Sequence, residues 1–189
     1  MDWDTTFFLT INGLAERSAG ADWIMLALGW TTSLAVPGAL AFSYWLWLNR
    51  REALIGGVTL TVLVVLGDLL GAQLKHLVGR VRPCHVLTGI HQLTGCGGTF
   101  SFPSNHALNV ATVAAFFQVL YPATGWVTWP VVVLAGFSRV YVGAHYATDV
   151  LGGWLIGAAL GAGAALWLTR WPAFRPFQSG LTGSGRSLR

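Results

Sequence analysis

The chain has 189 residues, of which 54% are hydrophobic and 10% are charged, and its mean hydropathy is +0.59. An average globular domain carries about 25% charged residues, so this composition excludes an ordinary water-soluble protein and predicts a surface that faces lipid. The net charge of +4 rests on only eleven Lys and Arg residues, without a basic stripe, which excludes nucleic acid as a partner.

The first fifteen residues are too short and too acidic to cross a membrane. Their apolar side chains recur at helical spacing, at Trp3, Phe7, Ile11 and Leu14. This pattern predicts an amphipathic helix that lies in the membrane interface. The acidic start lacks the positive region of a secretory signal, so no cleavable leader is expected.

Five apolar runs follow, and each is predicted to span the bilayer, although a spanning helix needs roughly 20 apolar residues and two of the runs are shorter. In chain order they are residues 23–48, 53–74, 107–121, 126–142 and 147–168. The last run is rich in small residues, which are expected to permit close helix packing in lipid: Gly152, Gly153, Gly157, Gly161 and Gly163.

The predicted fold class is an all-α, polytopic transmembrane bundle of about five spanning helices plus the N-terminal interfacial helix. Residues 1–172 form one domain, and residues 173–189 are expected to be a flexible, basic cytoplasmic tail. Residues 75–104 are polar and Gly-rich, so they are predicted to be a surface loop outside the hydrocarbon.

Positive charge predicts the orientation of the bundle. Most arginines outside the polar segments fall on one side of it: Arg50, Arg51, Arg170, Arg175, Arg186 and Arg189. The positive-inside rule places that side in the cytoplasm. The polar segments between the spans then emerge together on the outer face.

Three polar segments hold most of the side chains that could do chemistry: residues 75–83, 103–106 and 138–149. In the first, Lys75 and Arg82 are either snorkelling interfacial anchors or ligands of an anion. In the second, Ser104 is expected to be the N-cap of a helix whose first turn contains His106. The start of such a helix can bind an anion.

The third segment places Asp149 four residues after His145, on one face of a helix. A carboxylate there can accept the imidazole N–H and leave the other nitrogen free to attack or bind. The alternatives are a structural His–Asp hydrogen bond and, with His106, part of a zinc or iron site. The cations of the same segments would repel a metal ion, so the pattern favours a phosphate site without metal.

The pattern Lys-x6-Arg-Pro, then Pro-Ser-x-His, then Ser-Arg-x5-His-x3-Asp resembles the signature of the type 2 phosphatidate phosphatase superfamily. That superfamily includes membrane lipid phosphatases and, as soluble relatives, bacterial acid phosphatases and vanadium haloperoxidases. Residues 75–149 keep every spacing of the signature. One position departs, because Asn105 stands where the family usually has Gly. Asn tolerates left-handed backbone geometry, so the phosphate loop is expected to survive with altered access or substrate preference.

The resemblance implies a role for each motif residue. His145 would attack phosphorus and form a phosphohistidine, with Asp149 orienting it. His106 would protonate the departing oxygen and then activate water. The phosphoryl oxygens would be held by the remaining motif residues: Lys75, Arg82, Ser104, Asn105 and Arg139. Neither a metal nor a cofactor is expected.

These observations together predict a metal-independent phosphatase of lipid phosphates or diphosphates, on the outer, periplasmic face of a bacterial inner membrane. Polyprenyl diphosphate is slightly favoured because the short loops leave little protein to recognise an elaborate headgroup. Phosphatidylglycerol phosphate, phosphatidate and lipid A stay open, as does the oligomeric state.

Two alternatives to a phosphatase remain. A lipid phosphotransferase would use the same phosphohistidine. A small transporter should carry polar groups near the bilayer midplane, whereas here only Asp68 lies appreciably deep.

The remaining polar residues carry weaker expectations. Asp68 either pairs with a basic residue and braces the site or satisfies a buried polar partner. Cys84 and Cys96 lie in the outer loop, where an oxidising environment favours a disulfide over two unrelated thiols. The others are interpreted as loop residues at the headgroup level: His76, Arg80, His85 and His91.

Overall fold

The structure, a computed structural model, describes residues 2–171 and residue 174, without the side chains of residues 31 and 32. The predicted basic tail over 173–189 lies outside the described residues, apart from the buried Phe174. The described chain is all-helical, with one isolated antiparallel bridge between Val81 and Phe100. Its α-helices are α1 Trp3–Asn12, α2 Ala19–Gly29, α3 Thr31–Leu48, α4 Arg50–Val78, α5 Pro83–Val86, α6 Asn105–Leu120, α7 Gly125–Tyr141 and α8 Ala147–Thr169, with a 3-10 turn at Pro122–Thr124.

Helix α1 is present as the apolar spacing predicts, but it packs against the protein with a different face. Its N-cap is Asp2, whose carboxylate accepts the Thr5 N–H at 2.7 Å. The buried stripe repeats every four residues, at Asp4, Phe8 and Asn12. Trp3 is 63% exposed. An exposed apolar face opposite a partly polar buried face suits a helix at the lipid surface.

The first predicted span, residues 23–48, is not one straight helix. It breaks at Trp30, whose backbone is extended (φ −90°, ψ 128°), and the axes of the segments before and after the break differ by 55°. Together the two segments are long and apolar enough for one bent span. The length of the apolar run predicts one helix, although Gly29 and the polar residues 31–33 are typical of a helix end followed by a new helix start.

Two single helices of the described chain, α4 and α8, are each long and apolar enough to cross a membrane, and the bent pair α2–α3 makes a third candidate. Helices α6 and α7 have 16 and 17 residues and are shorter than these. The predicted count of about five spans therefore stays a prediction.

Helix α4 is longer than the run that predicted it. It continues to Val78 and stops at Gly79, which takes the left-handed conformation (φ 64°) that glycine adopts without penalty. Lys75 and His76 therefore belong to the last turn of α4, and their assignment to the surface loop is wrong. A short helix, α5, also interrupts that loop.

Glycines bring the backbones of α6 and α8 into contact. A methyl group at Gly153 would lie 2.6 Å from the Ser104 carbonyl oxygen, and one at Gly157 or Gly161 would collide with the backbone of α6 in the same way. This spacing of four residues keeps one face of α8 against α6. The contact places the first turn of α6 beside the first turn of α8.

Two other glycines of the last span behave differently. Gly152 packs against the Phe102 ring, whereas a methyl group at Gly163 would meet nothing within 4 Å in the described chain. The expectation of close packing is therefore wrong for Gly163.

Candidate active site

The three polar segments meet at one end of the bundle, where α6 and α8 begin and α7 ends. The Ser104 N–H donates to the backbone oxygen of Asp149 at 3.0 Å, which joins the second segment to the third. Nη1 of Arg82 lies 3.3 Å from Nε2 of His145, which joins the first segment to the third. Residues separated by up to 74 positions in the sequence thus form one site.

His145 and Asp149 lie together, as their spacing predicts. Asp149 is fully buried in the first turn of α8, and His145 is 4% exposed just before that helix. The nearest atoms are His145 Nδ1 and Asp149 Oδ2, 3.6 Å apart. That is an ion-pair distance, longer than an ordinary hydrogen bond. Oδ2 instead accepts the Tyr146 N–H at 2.9 Å.

The surroundings of His145 favour its neutral form. Burial lowers its pKa to about 4, with a further contribution from Arg82, while the carboxylate of Asp149 opposes the shift. A guanidinium can only donate hydrogen bonds, so Nε2, which faces Arg82, acts as the acceptor. The proton of the neutral ring then lies on Nδ1, toward Asp149. Nε2 therefore carries the lone pair that a nucleophile needs.

A cavity of about 560 Å³ lies next to this pair: Arg82, which contacts Nε2 of His145, lines it, whereas His145 and Asp149 are not among its described lining residues. Its lining includes Arg82, His106 and Arg139, together with Trp30 and the loop residues 94–97. The Nε atoms of both arginines are buried and have no hydrogen-bond partner among the described residues. Arg82 uses one arm to bind the Ala144 oxygen at 3.1 Å. Two guanidinium groups with donors to spare make this cavity suited to an oxyanion.

The break between α2 and α3 positions two of the cavity side chains. The Ser33 N–H bonds the Trp30 oxygen, so the Gly29 oxygen does not receive its usual helical partner. Arg139 donates to that oxygen at 3.1 Å, and Nε2 of His106 lies 3.0 Å from the Leu28 oxygen. A carbonyl only accepts, so the His106 proton is on Nε2 and Nδ1 is left as the acceptor in the neutral ring.

Lys75 and Ser104 brace the loop that precedes α6. The ammonium group of Lys75 donates to the Pro103 oxygen and, at 3.4 Å, to the Ser101 oxygen. Ser104 is fully buried and caps α6 by accepting the Ala107 N–H at 3.5 Å. Neither residue lines the cavity, so their direct contact with phosphate stays a prediction.

Asn105 points toward α4. Its amide donates to Oδ1 of Asp68 at 3.0 Å, and Asn109 donates to the same oxygen at 3.0 Å. Asp68 therefore has polar amide partners, which matches the second of its two expected roles. The phosphate contact predicted for Asn105 has no support in this geometry and stays a prediction.

Arg80 has contacts that its interpretation as a headgroup-level loop residue missed. Its guanidinium binds Asp4 of α1 at 2.7 Å and Asp149 at 2.9 Å, and it lies 4.0 Å from the centre of the Tyr146 ring. In the sequence, the signal for this contact is Asp4, an acidic residue within the apolar pattern of the N-terminal helix. That signal does not identify which cation Asp4 meets.

The predicted histidines outside the motifs lie away from the cavity lining. His85 is exposed on α5, and His76 is exposed on α4. Nδ1 of His91 lies 2.8 Å from Glu16, and its backbone N–H donates to Asn12 at 2.8 Å, which ties this loop to α1.

Cys84 and Cys96 are joined by a disulfide, with their Cα atoms 5.9 Å apart. The bond links α5, which directly follows Arg82, to the rim of the cavity, where Cys96 lies. These two residues and His85 form the one group of potential metal ligands in the described part of the chain. Because both sulfurs are used in the disulfide, they offer no thiolate to a metal.

Comparison with known proteins places this geometry in context. Residues 54–173 match the family model described as the PAP2 superfamily. The undecaprenyl-diphosphatase of Sulfolobus acidocaldarius is 35% identical over 103 residues, which cover 54% of this chain and half of that protein. A lipid A 4'-phosphatase of Porphyromonas gingivalis is 28% identical over 171 residues, covering 85% of this chain and 71% of that protein. The crystal structure of Aquifex aeolicus LpxE superimposes with a TM-score of 0.69 at 24% identity, covering 88% of this chain and 96% of that one.

Proposed function

Since the chain belongs to the PAP2 superfamily, we propose that it is an integral-membrane lipid phosphate phosphatase that acts through a phosphohistidine without a metal ion. One observation carries the proposal. Two arginines line a cavity together with His106, and their buried Nε atoms have no hydrogen-bond partner in the described part of the chain. Arg82 also contacts Nε2 of His145. This arrangement supplies an anion site, a nucleophile and a proton carrier at one place.

The proposed reaction has two displacement steps. Nε2 of His145 attacks phosphorus, the bond to the leaving oxygen breaks, and His106, which enters this step as an imidazolium, gives that oxygen its Nδ1 proton. His106 then takes a proton from a water molecule, which attacks phosphorus and breaks the P–N bond. Inorganic phosphate leaves, and both histidines return to their starting states.

The charged groups have a separate task in this scheme. Arg82 and Arg139 offset the charge that builds on the phosphoryl oxygens in the transition state. Ser104 caps α6, and the backbone N–H groups at the start of that helix add hydrogen-bond donors to the phosphoryl oxygens. We propose that Lys75 and Asn105 reach the phosphate only after exchanging their present partners. Asp149 stabilises the imidazolium character that His145 gains during attack.

For the substrate, we favour a polyprenyl diphosphate among the lipid phosphates. One relative is named for undecaprenyl diphosphate and another for lipid A. Among the described residues, 94–97 are the only stretch of consecutive loop residues that lines the cavity, which leaves little surface for a large sugar headgroup. Phosphatidylglycerol phosphate and phosphatidate are the remaining members of the class to be tested.

We further propose that the bundle crosses a bacterial inner membrane five times, through the bent α2–α3 pair, α4, α6, α7 and α8. Helix α1 lies in the interface on the outer side, and the cavity opens to the periplasm. The support is the position of the basic residues, because Arg50, Arg51 and Arg170 lie at the end of the bundle opposite the cavity.

The decisive experiment measures phosphate release by purified protein in detergent, with EDTA present and a panel of lipid phosphates. We expect turnover with at least one lipid diphosphate or monophosphate and no loss on chelation. Absence of turnover across the panel would contradict the proposed function, and loss with EDTA would contradict the metal-free mechanism. Labelled phosphate recovered on an added acceptor lipid instead of in water would favour the phosphotransferase.

A further inference from the structure

Arg80 joins the beginning of the chain to the carboxylate beside His145. Nη2 binds Oδ2 of Asp4 at 2.7 Å, and Nη1 binds Oδ1 of Asp149 at 2.9 Å. The side chain is 28% exposed, whereas the two carboxylates are almost fully buried. One guanidinium thus serves two carboxylates, a geometry that its planar fork allows and a lysine ammonium does not reproduce.

Both oxygens of Asp149 are fixed by this arrangement. Arg80 holds Oδ1, and the Tyr146 N–H holds Oδ2 at 2.9 Å. Since Nδ1 of His145 lies 3.6 Å from Oδ2, a small rotation of the carboxylate decides whether that nitrogen gains a hydrogen bond. Arg80 controls the rotation because it holds the opposite oxygen.

Arg80 is itself held from several sides. Its backbone oxygen accepts the Ser101 N–H at 2.7 Å, its guanidinium stacks on the Tyr146 ring, and Asp4 holds its second arm. Asp4 also accepts the Thr148 N–H in the first turn of α8, at 3.2 Å. Helix α1 therefore contacts the same turn of α8 that carries Asp149.

We propose that Arg80 and Asp4 are positioning residues that fix the Asp149 carboxylate against His145, so that the N-terminal helix is part of the active-site framework. The inference rests on the proposed function. Asp4 lies outside residues 54–173, the range that matches the family, so this contribution comes from this chain's own N-terminal segment.

The test compares steady-state kinetics of purified variants with the best lipid substrate. For Arg80→Gln we expect kcat to fall by about 10–100-fold, as for loss of a group that orients a reacting residue. KM should stay within about twofold, because Arg80 does not line the cavity. Arg80→Lys should recover part of kcat, and Asp4→Asn should lower kcat less than Arg80→Gln.

The matched controls remove one carboxylate charge and one guanidinium charge at exposed positions away from Arg80 and Asp149. Asp2→Asn alters the exposed cap of α1, and Arg17→Gln removes an exposed arginine. Both should keep the kinetics of the unmodified protein. Melting temperature in detergent, measured for every variant, separates loss of positioning from loss of fold.

The most discriminating measurement combines Arg80→Gln with Asp149→Ala in one double variant. If Arg80 acts through Asp149, the double variant should be no slower than Asp149→Ala alone. A further tenfold loss, or unchanged kcat in Arg80→Gln, would overturn the inference. If Arg80→Gln does not accumulate, Arg80→Lys decides, and it overturns the inference if its kcat equals that of the unmodified protein. Failure of the proposed function looks different, because the unmodified protein would then release no phosphate.

Discussion

His145 is the proposed nucleophile, and its Nε2 is the one histidine nitrogen that contacts Arg82 among the described residues. His106 lines the cavity as well, but its Nε2 is held by the Leu28 oxygen. We expect His145→Ala to lower kcat by at least about a thousandfold, because the covalent step loses its attacking atom. The matched control is His85→Ala, which removes an exposed ring from α5 and should keep full activity. Steady-state phosphate release measures both, and appreciable turnover by His145→Ala would contradict the phosphohistidine.

The same residue, His145, determines how the rate of its phosphorylation should change at acidic pH. Attack requires neutral His145, and burial lowers its pKa to about 4 from the ordinary 6.5. Lowering the pH to 5.5 would leave only about a tenth of an ordinary histidine neutral, whereas His145 should stay mostly neutral.

We therefore expect the rate of phosphoenzyme formation to persist at pH 5.5. The measurement is a rapid-quench assay, corrected for the ionisation of the substrate phosphate. A rate that halves near pH 6.5 after that correction would show that His145 titrates like an exposed histidine.

At the scale of elements, the close contact between α6 and α8 depends on glycines, which have no side chain to separate the two backbones. Gly157→Ala should destabilise the fold by about 1–3 kcal/mol, because the added methyl group collides with the α6 backbone at Leu108. Gly163→Ala adds the same methyl group to the same helix where nothing lies within 4 Å. It should leave stability unchanged or raise it by up to about 1 kcal/mol. Thermal unfolding in detergent compares the two, and equal melting temperatures would contradict the packing argument.

The sequence predicted the helices well because hydrophobic runs and helical spacing are local properties. Gly29 and the polar residues 31–33 are a local signal for the break at Trp30, but the contacts of Leu28 and Gly29 with distant side chains could not be predicted. The sequence also places the end of α4 too early, because residues 75–104 are polar and Gly-rich and therefore predict a loop. The ammonium group of Lys75 instead reaches that loop from within the helix.

The sequence predicted that the three polar segments meet at one end of the bundle, since the motif spacings identify those segments, while the roles of their residues stay predictions. The hydrogen-bond partners of these residues were not predictable, because those depend on how separate elements pack. Asn105 turns toward Asp68 of α4, and the stretch of sequence around Asn105 does not encode that choice. Arg80 was missed because both of its carboxylate partners lie about 70 or more residues away in the sequence.

For the whole molecule, orientation in the membrane is the property to test. In a background without Cys84 and Cys96, a cysteine at Thr88 should react with a membrane-impermeant thiol reagent in cells whose outer-membrane barrier is removed. A cysteine at Arg51, at the opposite end of the bundle, should be protected until the membrane is opened. Both positions are exposed in the structure. The inverted pattern would place the cavity in the cytoplasm and contradict the proposed localisation.

The contact between Asp4 and the first turn of α8 has a consequence for biosynthesis. Asp4 is synthesised 144 residues before Thr148, its partner in the first turn of α8. Helix α6 likewise lacks its packing surface until the glycine face of α8 has been synthesised. A nascent chain halted before α8 therefore lacks Asp149, the carboxylate that contacts His145 and Arg80, so the proposed active site is complete only when the last helix is in place.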